Sequence, residues 1–304
     1  MRPNGGEKLK QQLKIALGRD LLNKAVNDLT KIREFLTVIA KDRHHITDVQ
    51  LTRAERLNLD TLRLVAIEPI YAELESYSSS HFLGYEETMR RLATQKVSFA
   101  RFGDGEFKVM LRPDGNHVFQ DIVPEIQLEL EQVLTHGSSS TTLVGMPTVI
   151  KDPFWSNVWA NYYPQLKKLY PDEAKYGCTH VTRPIYFRRW KQSAVDAWRK
   201  VWDGMDACVV TGSQSRFDLI PELFDTLNSA KFVYGANRNA YFDIDELENA
   251  ALTANSDVVL ISMGPTGTVL ANRLAAKGQL ALDIGHIAAS YKNAFHDAAR
   301  PEAQ

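Results

Sequence analysis

From residue 7 to about residue 75 the apolar positions recur at steps of three and four. Leu9, Leu13, Leu17, Leu21, Ala25, Leu29, Ile32, Leu36 and Ile39 form one stripe, with no Gly or Pro in it beyond Gly18. The polar run Asp42-Arg43-His44-His45 ends that helix. Asp48 is placed to cap a second helix carrying Leu51, Ala54, Leu57, Leu62 and Val65, and Pro69 kinks or stops it. The pattern predicts an N-terminal α-helical hairpin over residues 1–80, whose first helix would span about 50 Å. So long an apolar stripe calls for burial, either against the rest of the chain or in a homo-oligomer formed through these helices.

Near residue 84 the period changes. Short apolar runs now alternate with amphipathic helical stretches: Val97 to Phe102, Thr142 to Met146, Ala207 to Val210, Lys231 to Tyr234, Val258 to Ser262 and Leu280 to Ile284, with a weaker strand-like run at Cys178 to Val181. Each gap is long enough for a crossover helix. That predicts an α/β fold with a doubly wound, Rossmann-like sheet over residues 81–292 and a tail at 293–304. Ligands of such sheets bind beyond the carboxyl ends of the strands, so the residues that follow each strand carry the chemistry.

Composition narrows the field. The 304 residues are 44% hydrophobic and 24% charged, with 36 Lys and Arg against 37 Asp and Glu. A balance so near neutrality gives no global attraction to nucleic acid or an anionic surface. No apolar run is long enough for a transmembrane helix, and the first residues lack the apolar core of a signal peptide. The two cysteines, Cys178 and Cys208, lie in apolar segments and read as buried thiols, which fits a reducing cytoplasm better than a disulfide framework. The five tryptophans, at helical spacings, read first as core, with sugar stacking as the alternative for one of them.

The first strand runs into Gly103-Asp104-Gly105-Glu106. Two carboxylates on a glycine turn suit Mg²⁺ or Mn²⁺ shared with phosphate oxygens, and Arg101 stands beside them; the plainer reading is an Asp-Gly turn with a solvated Glu. After the Val258 strand, Gly264-Pro265-Thr266 opens a helix whose N–H groups suit phosphate, unless Thr266 is simply a helix cap. It has neither the dinucleotide fingerprint nor a Walker loop. Thr182-Arg183-Pro184, Ser215-Arg216 and the amides Asn237 and Asn239 follow other strands. His286, in Asp283-Ile284-Gly285-His286, is open to roles as metal ligand, proton carrier, phosphate donor or structural hydrogen-bonder. Small, amide and cationic groups after nearly every strand are what a phosphorylated-nucleotide cleft requires.

These motifs occur in one order: Arg101 to Glu106, Thr182-Arg183-Pro184, Ser215-Arg216, Asn239-Ala240, Gly264-Pro265-Thr266, Asp283 to His286. That order resembles the GT-D glycosyltransferases, a family first catalogued as a domain of unknown function and active on bacterial surface glycans and glycoproteins. The resemblance spans about residues 84–292 and leaves the N-terminal helices outside. It implies a UDP-sugar donor and a D-x-E element that binds a divalent metal (Mn²⁺ or Mg²⁺) and the diphosphate, a role that falls on Asp104 and Glu106. The chain departs from the family pattern at Thr211, where Glu is usual, and at Ala288 and Ala289, where an acidic pair is frequent.

The expected activity is hexosyl transfer from a nucleotide sugar to a glycan or glycoprotein acceptor. Asp104, Glu106 and His286 are the expected catalytic residues. Arg101, Gly103, Arg183, Ser215, Arg216, Asn237, Asn239, Gly264, Pro265 and Thr266 are the expected donor and phosphate contacts. A metal-dependent nucleotide-sugar hydrolase would need the same diphosphate site. An assembly protein with a degenerate nucleotide-sugar fold would need none.

Overall fold

The computed structural model describes residues 53–112, 116–117 and 120–299. The long helix expected over residues 7–41, and the turn at Asp42 to His45, lie outside the described residues. Chain contacts divide the protein into units at residues 1–56 and 57–304.

Two helices lead into the fold, α1 (Arg53–Ala66) and α2 (Glu68–His81). Pro69 starts α2 rather than ending a helix, because a proline costs nothing in the first turn, where its missing N–H would have no intrahelical partner. The apolar positions read as the stripe of α1 are mostly exposed: Leu57, Leu62 and Val65 face water, and Leu59 and Ile67 turn inward. Leu74 of α2 is fully buried in the same cluster as sheet residues Ala100 and Val144.

The core is a parallel seven-stranded sheet. Its strands are β1 (Ser98–Arg101), β4 (Thr142–Met146), β5 (Gly177–Cys178), β6 (Asp206–Gly212), β7 (Ser229–Gly235), β8 (Val258–Ser262) and β9 (Ala281–Asp283), in the spatial order β5-β4-β1-β9-β8-β6-β7. A two-stranded ribbon, β2 (Asn116–His117) and β3 (Gln120–Asp121), stands apart. The expected strands are all present. β5 is shorter than its sequence run, because Thr179–Thr182 closes into a 3-10 turn.

Side chains alternate between two cores. Ala100, Val144, Cys208, Val210, Val259 and Ile261 enter one, and Phe99, Leu143, Val209 and Leu260 enter the other. Both faces are covered, so the strands read as continuous apolar runs. One face carries α2, α4 (Asp104–Leu111), α5 (Pro124–His136), α6 (Pro153–Leu166), α10 (Ile244–Thr253) and α11 (Pro265–Ala276). The other carries α3 (Tyr85–Gln95), α7 (Pro184–Trp190), α8 (Gln192–Trp202), α9 (Pro221–Phe224) and α12 (Ile287–Phe295). Trp159, Trp198 and Trp202 are fully buried, and both cysteines are buried free thiols. No helix among the described residues is long and apolar enough to cross a membrane.

From β1 the chain steps outward to β4 and β5. It then crosses to β6 and β7 and returns through β8 to β9, which pairs with both β8 and β1. The last strand is thereby wedged beside the first, and the segments after β1, β8 and β9 meet at the middle of the carboxyl edge.

Leu74→Ala should lower unfolding free energy by about 2–5 kcal/mol, the usual cost of an emptied core site. Denaturant titration checks it. A loss below about 1 kcal/mol would mean that α2 does not share the core of the sheet.

Candidate active site

β1 ends at Arg101, whose side chain is buried although it carries a permanent charge. Its Nη2 donates to Asp283 Oδ1 at 2.9 Å and its Nη1 to Thr182 Oγ1 at 2.7 Å. Asp283, at the end of β9, also accepts the Gly285 N–H at 3.1 Å. Thr268 Oγ1 donates to the Arg101 carbonyl at 2.7 Å and lies 3.4 Å from Asp283 Oδ2. One guanidinium thus joins the segments after β1, β5 and β9, with α11 braced against them. Gly285 has φ +47°, and a Cβ there would collide with Arg101 Nη2. Both conditions require glycine at this position.

The next residues open α4. Gly103 caps it in extended conformation, and the Glu106 carboxylate turns back to accept the Gly103 N–H at 2.7 Å. Asp104 Oδ2 accepts from Lys108 Nζ, one turn along, at 2.6 Å. Both carboxylates lie in the first turn, where the helix dipole favours negative charge. Burial, and then the Asp283 carboxylate, push Glu106 up to about 7, with Arg101 opposing. Burial also raises Asp283 despite its ion pair. Arg183 ends the turn after β5, and its Nη2 lies 3.9 Å from where a Cβ on Gly103 would sit. Arg101, Gly103, Glu106, Arg183 and Asp283 therefore form one cluster.

Beyond β8, Gly264 takes φ +55° and Pro265 begins α11. Thr266 is buried, and its hydroxyl donates to Gln120 Oε1 at 3.3 Å. Gln120 Oε1 also accepts the Tyr241 N–H at 3.2 Å. Asn239, at φ +56°, pairs reciprocally with Asp121: the Asp121 N–H donates to its Oδ1 and its Nδ2 donates to Asp121 Oδ2, each at 2.8 Å. The β2–β3 ribbon thereby ties the segment after β7 to the start of α11. Asn237 Oδ1 accepts the Gln214 N–H at 2.6 Å and joins the segments after β6 and β7. Ser215 and Arg216 are exposed on the segment after β6, three strands away from β1. His286 is exposed at the start of α12, where its carbonyl accepts the Ser290 N–H at 2.9 Å.

Apart from Gly264 and Pro265, which open α11, the expected residues fall into three groups. Arg101, Gly103, Glu106 and Arg183 are brought together, with Asp104 on the same helical turn. Thr266, Asn237 and Asn239 hold loops with their side chains. Ser215 and Arg216 stand outside the central cluster, and His286 is exposed one residue after Gly285, which lies against Arg101. Sequence reasoning includes Thr182, Asp283 and Gly285 in its motifs without assigning them a role, and it assigns none to Thr268. An acidic residue ending an apolar strand was the available signal for Asp283. Gln120 and Asp121 lie on a ribbon too short to show a period.

Among the described residues no group of three or more His, Cys, Asp or Glu side chains is placed to hold a metal ion. Among the described residues of this cluster, Asp283 is committed to Arg101, and Asp104 and Glu106 in the first turn of α4 are the carboxylates left to meet a cation of the Mg²⁺ type, which is usually held by one or two carboxylates and completed by substrate phosphates and water.

Residues 99–302 match the family described as Glycosyltransferase GT-D fold, which is more than half of the chain. Glycosyltransferase GlyD of Streptococcus pneumoniae serotype 4 is 27% identical over 252 residues, 78% of this chain and 30% of that protein. A probable glycosyl transferase Gly of Streptococcus gordonii is 26% identical over 223 residues, 69% of this chain and 32% of that protein. The chain spans about a third of the length of these curated relatives. The solved structure of domain of unknown function 1792, described as a distinct glycosyltransferase fold, superposes with a TM-score of 0.68 at 26% identity, covering 75% of this chain and 86% of that one. A glycosyltransferase of the same domain type from Streptococcus sanguinis gives 0.66 at 27% identity, covering 72% and 85%. The parallel sheet, the site at its carboxyl edge and these matches define an α/β fold of the glycosyltransferase type. The chain belongs to the GT-D fold glycosyltransferase family.

Two outcomes follow from this geometry. Gly285→Ala should displace the Arg101 side chain and cost about 2 kcal/mol or more, combining left-handed backbone strain with a broken buried ion pair. Chemical denaturation reads the loss, and a wild-type midpoint would contradict the close approach of Gly285 to Arg101. The second outcome concerns pH. Glu106 holds its proton to about 7 in the fold and to about 4.5 ordinarily, so its contribution to stability is full below 4.5 and is lost as pH rises through 7. Glu106→Gln should therefore raise the melting temperature relative to wild type more at pH 8 than at pH 5. A gain independent of pH would contradict the raised value.

Proposed function

We propose that the protein transfers a hexosyl group from a nucleoside diphosphate sugar, with UDP as the nucleotide, to a hydroxyl of a bacterial glycan or glycoprotein. The observation that carries this reading is the juxtaposition of Gly103, Glu106 and Arg183 beside the buried Arg101–Asp283 pair. It places an N-terminal helical turn and a cation together at the central carboxyl edge, where α/β sheets take phosphorylated ligands. Membership of the family and the names of the streptococcal relatives support transfer over hydrolysis.

In this reading Arg183 and the first-turn N–H groups of α11 hold the diphosphate. Gly264 brings that backbone close, and Thr266 contributes by packing, since its hydroxyl is turned to Gln120. Asn237 and Asn239 shape the nucleoside side by fixing their loops. His286, exposed at the edge, faces the acceptor or phosphate side. Asp104 and Glu106 would hold a divalent cation, Mn²⁺ or Mg²⁺, which when bound supplies charge neutralisation for the departing diphosphate. Glu106, ionised with difficulty beside Asp283, is the carboxylate that gains most from a neighbouring positive charge. A cytoplasmic location fits the buried free thiols. The leucines exposed on α1 support self-association through the N-terminal helices.

Calorimetry with UDP and UDP-sugars, with and without Mn²⁺, tests the donor, and product analysis with and without acceptor separates transfer from hydrolysis. Asp104→Asn and Glu106→Gln should each reduce transfer by at least about a hundredfold, roughly 2.7 kcal/mol of barrier, while the protein stays folded. Chelator should reproduce the loss in wild type and add little to the variants. Full turnover in excess chelator would overturn the metal assignment. Failure to bind any nucleoside diphosphate would overturn the donor.

A further inference from the structure

One side chain at this end of the sheet is fixed, buried and incompletely satisfied. His180 lies in the Thr179–Thr182 turn directly after β5 and is 2% exposed. Its Nδ1 lies 3.2 Å from the Thr148 backbone nitrogen and accepts that N–H, so the ring proton resides on Nε2. The ring meets Trp155 edge-on, with centroids 4.9 Å apart and planes at 85°. Nε2 has no hydrogen-bond partner among the described residues, and neither has the buried Nε of Arg101. Native folds rarely leave buried donors unmet, and such a group asks for a ligand. Burial first, and then the charges of Arg183 and Arg101, hold the imidazole down to about 3. At ordinary pH it is a neutral donor and does not carry protons.

The position of the ring identifies the ligand. Its turn supplies Thr182 to Arg101 and ends at Arg183, beside Gly103 at the head of α4. Nε2 carries the ring proton, so its ligand must accept, and the charges of Arg183 and Arg101 favour an anionic oxygen. We propose that His180 is a donor-binding residue whose Nε2–H donates to a phosphate oxygen of the nucleoside diphosphate, next to Arg183. This rests on the nucleotide-sugar reading above. A neutral imidazole gives that oxygen a directional bond without adding a third buried charge to a crowded site. Nε2 is shut from water, so a nucleotide reaches it only after neighbouring side chains move.

The geometry allows the two ring nitrogens to be tested separately. In His180→Asn the side-chain oxygen replaces Nδ1 and keeps the Thr148 bond, but nothing replaces Nε2. In His180→Gln an amide N–H reaches the place of Nε2. Wild type and both variants are titrated with UDP and with uridine by calorimetry. His180→Asn should bind UDP about tenfold more weakly and uridine unchanged, and His180→Gln should recover most of the UDP affinity. Undiminished UDP binding by His180→Asn, or equal losses for UDP and uridine, would overturn the phosphate contact. Should His180→Asn fail to fold, nitrogen NMR of histidine-labelled wild type decides. The His180 Nε2 resonance should shift on adding UDP, and an unmoved resonance at saturation would overturn the proposal. Wild type that binds no nucleoside diphosphate would instead defeat the donor reading on which it rests.

Discussion

A buried arginine keeps its charge, so the fold around it must supply compensation. Arg101 receives a carboxylate from β9, a hydroxyl from the turn after β5 and the close backbone of Gly285. Coulomb attraction between Arg101 and Asp283 is opposed by desolvation of both groups, and the two are comparable in size. Asp283 remains raised even with its partner in place, which indicates that desolvation is the larger influence on it. The pair is thus a weak source of net stability, but it is intolerant of losing either member. That asymmetry makes it a device for geometry. Three strand ends must meet in one arrangement, or a charge is left alone in the core.

The burial that Arg101 and Asp283 share extends to Glu106 beside them. Glu106 begins a helix, which favours its anion, and caps Gly103, which also favours it. Burial and Asp283 win against both, and its ionisation moves close to neutral pH. A positive ligand at α4 would reverse that balance, and a diphosphate alone would worsen it.

Much of this was legible in the sequence because period and position are strong signals. The apolar runs at Thr142 to Met146 and Val258 to Ser262 coincide with β4 and β8 at both ends. The motif residues do follow the strands as expected. Local readings failed where a partner lies far along the chain. Nothing near Thr266 shows that its hydroxyl is turned to Gln120, 146 residues away. Nothing near Asn239 announces Asp121. The stripe expected on α1 misjudged which residues turn inward, because α1 buries Leu59 and leaves Leu57 and Val65 in water. Helical spacing defines a face without saying what it meets.

The motif residues therefore divide by work rather than by order in the chain. Arg101, Thr266, Asn237 and Asn239 spend their polar groups on other protein groups, and their bonds set where loops stand. Gly103, Gly264 and Gly285 let backbone and guanidinium approach closely at the same edge. The proposed donor contacts, Arg183 and His180, belong to the single turn that also supplies Thr182 to Arg101. A substitution among the first group would then act on every donor alike, because it moves the frame. Discrimination between donors must come from the smaller second group and from the segments after β6 and β9, where Ser215, Arg216 and His286 are exposed. Close relatives with different donors would accordingly share the frame and differ at that rim.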